Sequence, residues 1–412
     1  MVRVSAAAPG VRRGAHELLR PGVVSLPALP PLALYIHLPW CLRKCPYCDF
    51  NSHAVGVGGG EAFPERAYLD ALLADLEASL PLVWGRTVAT IFIGGGTPSL
   101  FAPASIERLL SQARAMLPLA PDCEITMEAN PGTFERERFA GFRDAGVNRL
   151  SIGVQSFDDA CLRRLGRVHD AAQAGAALAA ARELFDVVNC DLMYALPGQD
   201  LAGLQRDVET AIGFDPAHVS LYELTIEPNT AFAVDPPPRP DDDAAAEMQQ
   251  WLEQRLAAGG YAQYEVSAYA RPGRRCRHNL NYWEFGDYLG IGAGAHSKLS
   301  FPNRIVRQVR LRQPARYIEA AASCPIAEDK DVPRAELPFE FMLNALRLTE
   351  GFPLALFPAR TGMAPTAIER QLAALQARGL LRVTDDRVVP SALGRRFLND
   401  VQASFLPPTK TP

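Results

Sequence analysis

Three cysteines, Cys41, Cys45 and Cys48, stand within eight residues, in the run Tyr35-Ile-His-Leu-Pro-Trp-Cys-Leu-Arg-Lys-Cys-Pro-Tyr-Cys-Asp-Phe-Asn-Ser-His53. Thiolates are ligands for soft and borderline metals, and this spacing is short enough for one loop to present all three. Structural zinc is normally closed by four ligands, and no fourth cysteine lies nearby. His53 offers a nitrogen that would complete a mixed zinc site, so spacing alone leaves that alternative open. An iron–sulfur cubane uses three thiolates differently. They hold three irons and leave the fourth iron open, whereas an electron carrier normally uses four cysteines. An open metal position is the mark of a centre that does chemistry rather than one that staples a fold.

A second chemical feature is the run Gly94-Gly95-Gly96-Thr97-Pro98. Consecutive glycines let the backbone approach a ligand closely and take φ angles closed to other residues. A phosphate loop of the Walker type is excluded because its lysine is absent. Polar or glycine residues also close six apolar, β-branched runs: His37, Gly94 to Gly96, Glu128, Gln155, Asp191 and Glu223. In parallel α/β sheets ligands bind at the C-terminal ends of the strands, so these residues are expected to share one pocket.

The elements that must position them follow from the hydrophobic period. The strand-like runs are 32–38, 88–93, 124–128, 149–154, 187–193 and 219–223. Between them, apolar residues recur at helical spacing, as in Leu69, Leu72, Leu73, Leu76 and Leu80, then Ile106, Leu109, Leu110, Ala113 and Leu117. Six strands alternating with helices imply right-handed βαβ units, an α/β class, and a partial (β/α)6 TIM-type barrel. Residues 234–243, rich in proline and aspartate, read as a solvated connector or lid. A helix at 244–258 and a strand at 264–269 follow. A smaller unit then offers helices at 339–348, 353–360 and 364–378 and a hairpin at 381–389, the order of a winged-helix-like α+β domain. The expected organisation is a disordered leader over 1–30, a barrel core over 31–235, a barrel extension over 236–335 and the winged-helix-like domain over 336–405.

Composition narrows the function. Of the 412 residues 48% are apolar and 21% charged, an ordinary globular mix. A net charge of -4 argues against a nucleic-acid binder. No apolar run reaches the roughly 20 residues that span a bilayer, so no transmembrane segment is expected. His16, Glu17, Arg20 and several prolines interrupt the first thirty residues, which argues against an export signal. A cytoplasmic location is expected, where clustered thiols stay reduced and bind metal. Eight cysteines are too sparse for a disulfide scaffold. Cys123, Cys161, Cys190 and Cys324 stand in apolar or helical settings and read as core.

The Cys-x3-Cys-x2-Cys spacing, with Tyr47 before the last cysteine, resembles the signature of the radical S-adenosylmethionine superfamily. The resemblance implies a 4Fe–4S cluster on Cys41, Cys45 and Cys48, with S-adenosylmethionine chelating the open iron. An electron from the cluster then cleaves the sulfonium to give a 5′-deoxyadenosyl radical. From about residue 32 to 400 the chain is similar to the branch that contains oxygen-independent coproporphyrinogen III oxidase and haem chaperones. Carried across the matching motifs, the branch's cofactor contacts fall on Tyr35, Tyr47, Gly95, Gly96, Thr97, Glu128, Gln155, Arg167 and Asp191. Carboxylates at Glu128 and Asp191 suit an ammonium or ribose hydroxyls, and Arg167 suits a carboxylate.

Two features separate the branch members. The oxidase has a fourth cysteine two residues after the third, where this sequence has Phe50, which puts oxidative decarboxylation of coproporphyrinogen in doubt. His278-Asn-Leu-Asn-Tyr-Trp283 matches the His-Asn-x-x-Tyr-Trp motif associated with haem in the chaperone subgroup. The resemblance therefore implies a haem chaperone, with the oxidase as the alternative reading. His278 is the expected haem-iron ligand, Cys276 a second conceivable one, and Tyr282 and Trp283 are expected on the porphyrin face. The implied partners are haem and a haem-acceptor protein, respiratory and membrane-associated, met peripherally at the membrane; a homodimer is compatible. Gly290 to Ser297 reads as closing the cofactor pocket from the far side or as a tight turn, and His296 carries no more specific role.

Overall fold

The structure, a computed structural model, describes residues 22, 24–55, 63–132 and 135–407. Its main sheet begins with β1 (Leu32–Leu38), β2 (Val88–Gly95), β3 (Leu119–Ala129), β4 (Arg149–Gln155), β5 (Val188–Tyr194) and β6 (His218–Glu223), paired in that order and all parallel. These strands are buried on both faces, as parallel strands covered by crossover helices must be. The covering helices are α1 (Glu65–Val83), α2 (Pro103–Met116), α3 (Glu135–Ala145), α4 (Ala171–Leu184) and α5 (Leu201–Gly213). Their buried faces, with Leu69, Leu72 and Leu76 of α1 and Ile106, Leu109 and Leu110 of α2, join the strands in one large core. The partial barrel expected from the six βα repeats is what the chain forms.

The sheet extends beyond those six strands. On one side α6 (Asp242–Ala258) leads into a hairpin, β7 (Ala262–Glu265) and β8 (Ala268–Ala270), that pairs antiparallel with β6. The sequence reading had one strand over 264–269; a turn at Val266 and Ser267 divides it. On the other side α7 (Arg277–Trp283) precedes β9 (Asp287–Ile291), which pairs parallel with β1. β10 (His296–Phe301), β11 (Arg304–Arg310) and β12 (Ile326–Asp331) then continue antiparallel, so twelve strands run β12-β11-β10-β9-β1-β2-β3-β4-β5-β6-β8-β7. β9 is thus a seventh parallel strand that sequence reasoning missed. Its fourth residue is Gly290, whose added Cβ would lie 2.0 Å from the His296 carbonyl oxygen, so close strand packing rather than a loop explains that glycine. Gly292 to Ala295 make the tight turn between β9 and β10.

A buried polar clamp fixes the extension to the barrel. Arg310 of β11 donates from Nε to Asp75 of α1 at 3.1 Å and from Nη2 to Ser79 at 3.1 Å, while Tyr317 Oη donates to Asp75 at 2.9 Å.

The C-terminal part has its own core, built by α8 (Leu337–Ala345), α9 (Leu356–Thr361), α10 (Glu369–Ala377) and the strands β13 (Phe352–Pro353), β14 (Leu381–Val383) and β15 (Arg387–Pro390). The three strands form a sheet ordered β13-β15-β14. Residues 353–355, read from sequence as helix, instead belong to β13 and the turn after it, as Pro353 at a strand edge allows. Of the leader expected to be disordered over 1–30, residues 1–21 and 23 lie outside the described residues. The remainder is ordered: Val24 and Leu26, each 8% exposed, pack into the C-terminal core, and their amides donate to Asn303 and Pro302. Residues 235–241 are mostly exposed, in keeping with a solvated connector. No helix among the described residues is long and apolar enough to cross a membrane.

Candidate functional site

The chain leaves β1 through Pro39 into a two-residue strand, Trp40–Cys41, that pairs parallel with His53–Ala54 and closes the cysteine loop at its base. The loop is tied down on several sides. Asn51 donates from Nδ2 to the carbonyls of Ala293 and Arg312 at 2.9 and 2.8 Å, which anchors it to the turn after β9 and to the end of β11. The Phe232 amide donates to Pro46 O at 3.0 Å, and the Phe232 ring packs against Tyr47. Tyr47 therefore buttresses the loop and also lines the cavity beneath it.

That cavity, about 310 Å³, opens at the C-terminal ends of the parallel strands and is of small-molecule size. Cys41, Cys45 and Cys48 line one end as free, half-buried thiols. Gly95, Gly96, Thr97, Glu128, Gln155, Arg167 and Asp191 line it as well, so successive strand ends meet as expected. Four expected members do not: Gly94, Tyr35, His37 and Glu223. Tyr35 lies outside the cavity lining; its hydroxyl donates to His37 Nδ1 at 2.8 Å and its ring packs on Phe92. His37 is buried behind the glycine turn with Nε2 donating to Asn51 O at 2.9 Å, and Glu223 is exposed beyond the rim. Side chains alternate across a strand, and Glu223 has the wrong parity to face the cavity, whereas Tyr35 shares the face of its register partner Phe92 and is kept from the lining by packing on that ring and bonding to His37.

The glycine run is required first by packing. Gly95 has φ +119°, and a Cβ there would lie 2.6 Å from the His37 ring; at Gly96 it would lie 2.6 Å from Trp40 O. The turn can thus press against β1 and the start of the cysteine loop, and the amides of Gly96 and Thr97 donate to Leu38 O and Trp40 O.

The polar groups are strongly perturbed. Burial, reinforced by the Asp191 charge, pushes the Glu128 carboxyl up to about 7, against a hydrogen bond from the Gly95 amide that favours the ionised form. Burial also raises Asp191, which accepts from Ser151 Oγ and Asn189 Nδ2, each at 2.8 Å. Arg167 donates from Nη2 to Asn130 Oδ1 at 2.5 Å and to Gly153 O at 2.8 Å, and Nη1 stands 3.7 Å from Cys45 Sγ. It does not pair with Asp170, which caps α4. Gln155 sits at φ +68°, an unusual backbone for a residue with a side chain and a mark of a functional turn.

The donors fit the groups that the motif implies. Three thiols from one loop share the cavity end with a guanidinium, and three lining residues carry buried polar atoms without a partner: Thr126 Oγ1, Arg149 Nη2 and Arg167 Nε. Such orphans cost free energy unless a ligand satisfies them. His53 points away from a zinc role, since its backbone closes the loop base and it does not line the cavity.

Sequence reasoning missed a second polar tier below the strand ends: Arg149 and Ser151 on β4, Asn189 on β5, and His218, Ser220 and Tyr222 on β6 all line the cavity. Their signal was available as polar residues recurring at alternate positions, Arg149 and Ser151 on β4, Asn189 two before Asp191 on β5, and His218, Ser220 and Tyr222 on β6.

The motif helix α7 closes the far side. His278, only 5% exposed, reaches the cavity but stacks on Phe92 with ring centroids 4.2 Å apart. Tyr282 meets Tyr288 edge-on, and Trp283 packs under the Arg347 guanidinium beside the C-terminal domain. The three rings therefore do not bracket one porphyrin face, because on a helix Trp283 points away from His278 and Tyr282. Of the remaining cysteines, Cys123, Cys161 and Cys190 are buried, Cys324 is half-buried, and His296 is exposed.

Residues 35–211 match the radical SAM superfamily, and residues 332–397 match the HemN C-terminal domain. The chain is 49% identical over 380 residues to the heme chaperone HemW of Escherichia coli strain K12, covering 92% of this chain and 99% of that one. The chain belongs to the HemW family of radical SAM proteins. A second member, from Mycobacterium tuberculosis strain H37Rv, is 39% identical over 394 residues, covering 94% of this chain and 97% of its own. Family membership implies a 4Fe–4S cluster and S-adenosylmethionine. Among solved structures, coproporphyrinogen III oxidase (HemN) from Escherichia coli has a TM-score of 0.76, covering 92% of this chain and 90% of that one; at 24% identity this likeness shows the shared fold.

Proposed function

We propose that this chain is a haem chaperone: it carries a 4Fe–4S cluster on Cys41, Cys45 and Cys48, binds S-adenosylmethionine in the adjoining cavity, and binds haem that it delivers to an acceptor protein. The observation that carries the reading is the meeting of three free thiols with Glu128, Asp191 and Arg167 in one cavity. When bound, the cluster supplies an electron to the sulfonium of S-adenosylmethionine. The chain's own residues hold and orient. Glu128 and Asp191 accept from cationic or hydroxyl groups, Arg167 donates to a carboxylate and stands beside Cys45, and the Gly95–Gly96 turn keeps the cysteine loop in register. Haem as cargo is supported by the two relatives, both heme chaperones, whose similarity spans nearly the whole chain. Phe50, 60% exposed, stands where the oxidase has its fourth cysteine and offers no ligand there. Residues 31–235 act as the cofactor core, 236–335 as its extension and 336–405 as the accessory domain. Delivery takes place in the cytoplasm, at the membrane surface where the acceptor is membrane-associated.

Anaerobic reconstitution tests the reading. The holoprotein is expected to bind haem at micromolar concentration, to form 5′-deoxyadenosine with reductant, and to leave coproporphyrinogen unchanged. Failure to bind haem removes the chaperone reading, and turnover to protoporphyrinogen replaces it with the oxidase. Iron ligation by His278 requires its ring to leave Phe92; an unchanged haem absorption spectrum in His278→Ala excludes it.

A further inference from the structure

Beneath the cavity, away from the cluster cysteines, three potential metal ligands from two distant segments converge. They are Glu124 of β3, Cys276 at the start of α7, and His278 one step into that helix, all buried. Cys276 Sγ lies 3.0 Å from His278 Nδ1 and 3.8 Å from Glu124 Oε1, and His278 Nδ1 lies 3.3 Å from the same oxygen. Ligands on a tetrahedral zinc, at its usual bond lengths of roughly 2.0 to 2.3 Å, stand about 3.4 to 3.6 Å apart. The three donors, 3.0 to 3.8 Å apart, bracket that spacing, so small side-chain shifts bring them onto one ion. Both Cys276 and His278 line the cavity, so a fourth position faces open space that small ions can reach.

The surroundings suit a cation held rigidly. The Cys276 amide donates to Tyr264 Oη at 3.3 Å, and Tyr264 is bonded in turn to His218 at 2.9 Å, which fixes the ligand-bearing backbone. Phe92 pins the imidazole from its face. Such outer contacts are what orient ligands at metal centres. Arg149, 3.5 Å from the other Glu124 oxygen, opposes a cation. One thiolate and one carboxylate offset that charge once the thiol proton is displaced by metal. Haem iron does not fit the same donors. A porphyrin leaves its iron only two axial positions, on opposite faces, whereas these three groups lie on one side of a single point.

We infer that Glu124, Cys276 and His278 form a three-ligand site for a divalent, borderline-soft cation of the zinc class, with its fourth position open to the barrel cavity. Mixed sulfur, nitrogen and oxygen donors with one open position are the pattern of a reactive rather than a structural centre. The competing explanation is structural. Glu124 Oε1 also accepts from the amides of Arg277 and His278, at 2.9 and 3.2 Å, and so caps α7, which has no side-chain cap of its own.

Metal content separates the two, and it needs neither haem nor cofactor cleavage. The anaerobic holoprotein, its cluster cysteines occupied by iron, is exposed to zinc sulfate, desalted and analysed for zinc and iron. About one zinc per chain is expected, falling at least tenfold in occupancy in Cys276→Ala and in Glu124→Gln while iron content stays constant. Glu124→Gln keeps an oxygen for the α7 cap, so its circular dichroism and melting temperature report whether the fold survives. With cobalt in place of zinc, the high-spin cobalt electron paramagnetic resonance spectrum of the wild type is expected to change in Cys276→Ser. Zinc below about a tenth of an equivalent in the wild type, or equal zinc in wild type and both folded variants, overturns the site and leaves Glu124 as a cap only.

Discussion

Glu128 Oε2 accepts a hydrogen bond from the Gly95 amide at 3.0 Å, so the carboxylate ending one strand is held by the glycine turn ending its neighbour. Burial lifts this carboxyl to about 7, so it is mostly protonated at pH 6 and mostly ionised at pH 8. A cationic ligand needs the ionised form. The affinity for S-adenosylmethionine is therefore expected to rise roughly tenfold between those pH values, and the pH dependence is expected to disappear in Glu128→Gln. Anaerobic equilibrium dialysis at both pH values measures it.

The same shift has a stability consequence of the opposite sign. The folded chain holds the Glu128 proton more tightly than an unfolded carboxyl with its ordinary value of 4.5. Stability from this group is full below that ordinary value and is lost as pH rises towards 7, a loss of ~3 kcal/mol at most. Thermal melts of the ligand-free protein are expected to show Glu128→Gln more stable than wild type at pH 8, with the gap closing at pH 5.

Gly96→Ala places a methyl group 2.6 Å from the Trp40 carbonyl oxygen, where only backbone movement relieves it. The expected cost is about 2 to 4 kcal/mol. Displacement of the cysteine loop should also lower reconstituted iron per chain, measured colorimetrically. An unchanged melting temperature counts against the packing role given to this turn.

Cys45→Ser separates ligation from folding. The thiol is half-buried and supports no core packing, so cluster absorbance should be lost while apo-protein stability stays within about 0.5 kcal/mol of wild type. Denaturant titration of both apo forms is the measurement.

Arg310→Leu removes the cation from a fully buried pair and leaves the Asp75 carboxylate buried without that charge partner, still accepting from the Tyr317 hydroxyl. Breaking one side of such a pair costs about 3 to 5 kcal/mol. The loss should appear as an earlier urea midpoint, because the clamp joins the first helix to the barrel extension. Asp75→Asn combined with Arg310→Leu should recover part of it.

The parallel strands were legible because each is a short apolar run ended by a polar or glycine residue, and the cysteine loop because its spacing needs no tertiary information. β9 was not legible, since Gly290 interrupts a five-residue strand and its pairing with β1 depends on residues some two hundred and fifty positions away. At the site, Glu128, Gln155 and Asp191 were found as strand ends, whereas Ser151, Asn189, His218 and Ser220 were not. Their polarity is hidden among β-branched neighbours and shows only when alternate residues are counted along each strand. Tyr35 shares the strand face of its neighbour Phe92 but packs on that ring and bonds to His37, a side-chain arrangement that spacing does not record. Glu124 joins the Cys276–His278 pair through sheet geometry that no local pattern records.

The packing of Val24 and Leu26 against the C-terminal core bears on how the protein is made. These residues leave the ribosome before any of β1, yet their apolar partners, Phe341, Phe352 and Phe357 among them, are translated more than three hundred residues later. At roughly 5 to 20 residues per second, that separation is a wait of tens of seconds or less, during which the segment has no core to enter. The barrel can pair β1 through β6 in order of synthesis, but β9 and the two aliphatic side chains dock only near the end. Docking therefore reports completed translation: a chain truncated within the last domain leaves Val24 and Leu26 exposed to proteases, whatever the state of its barrel.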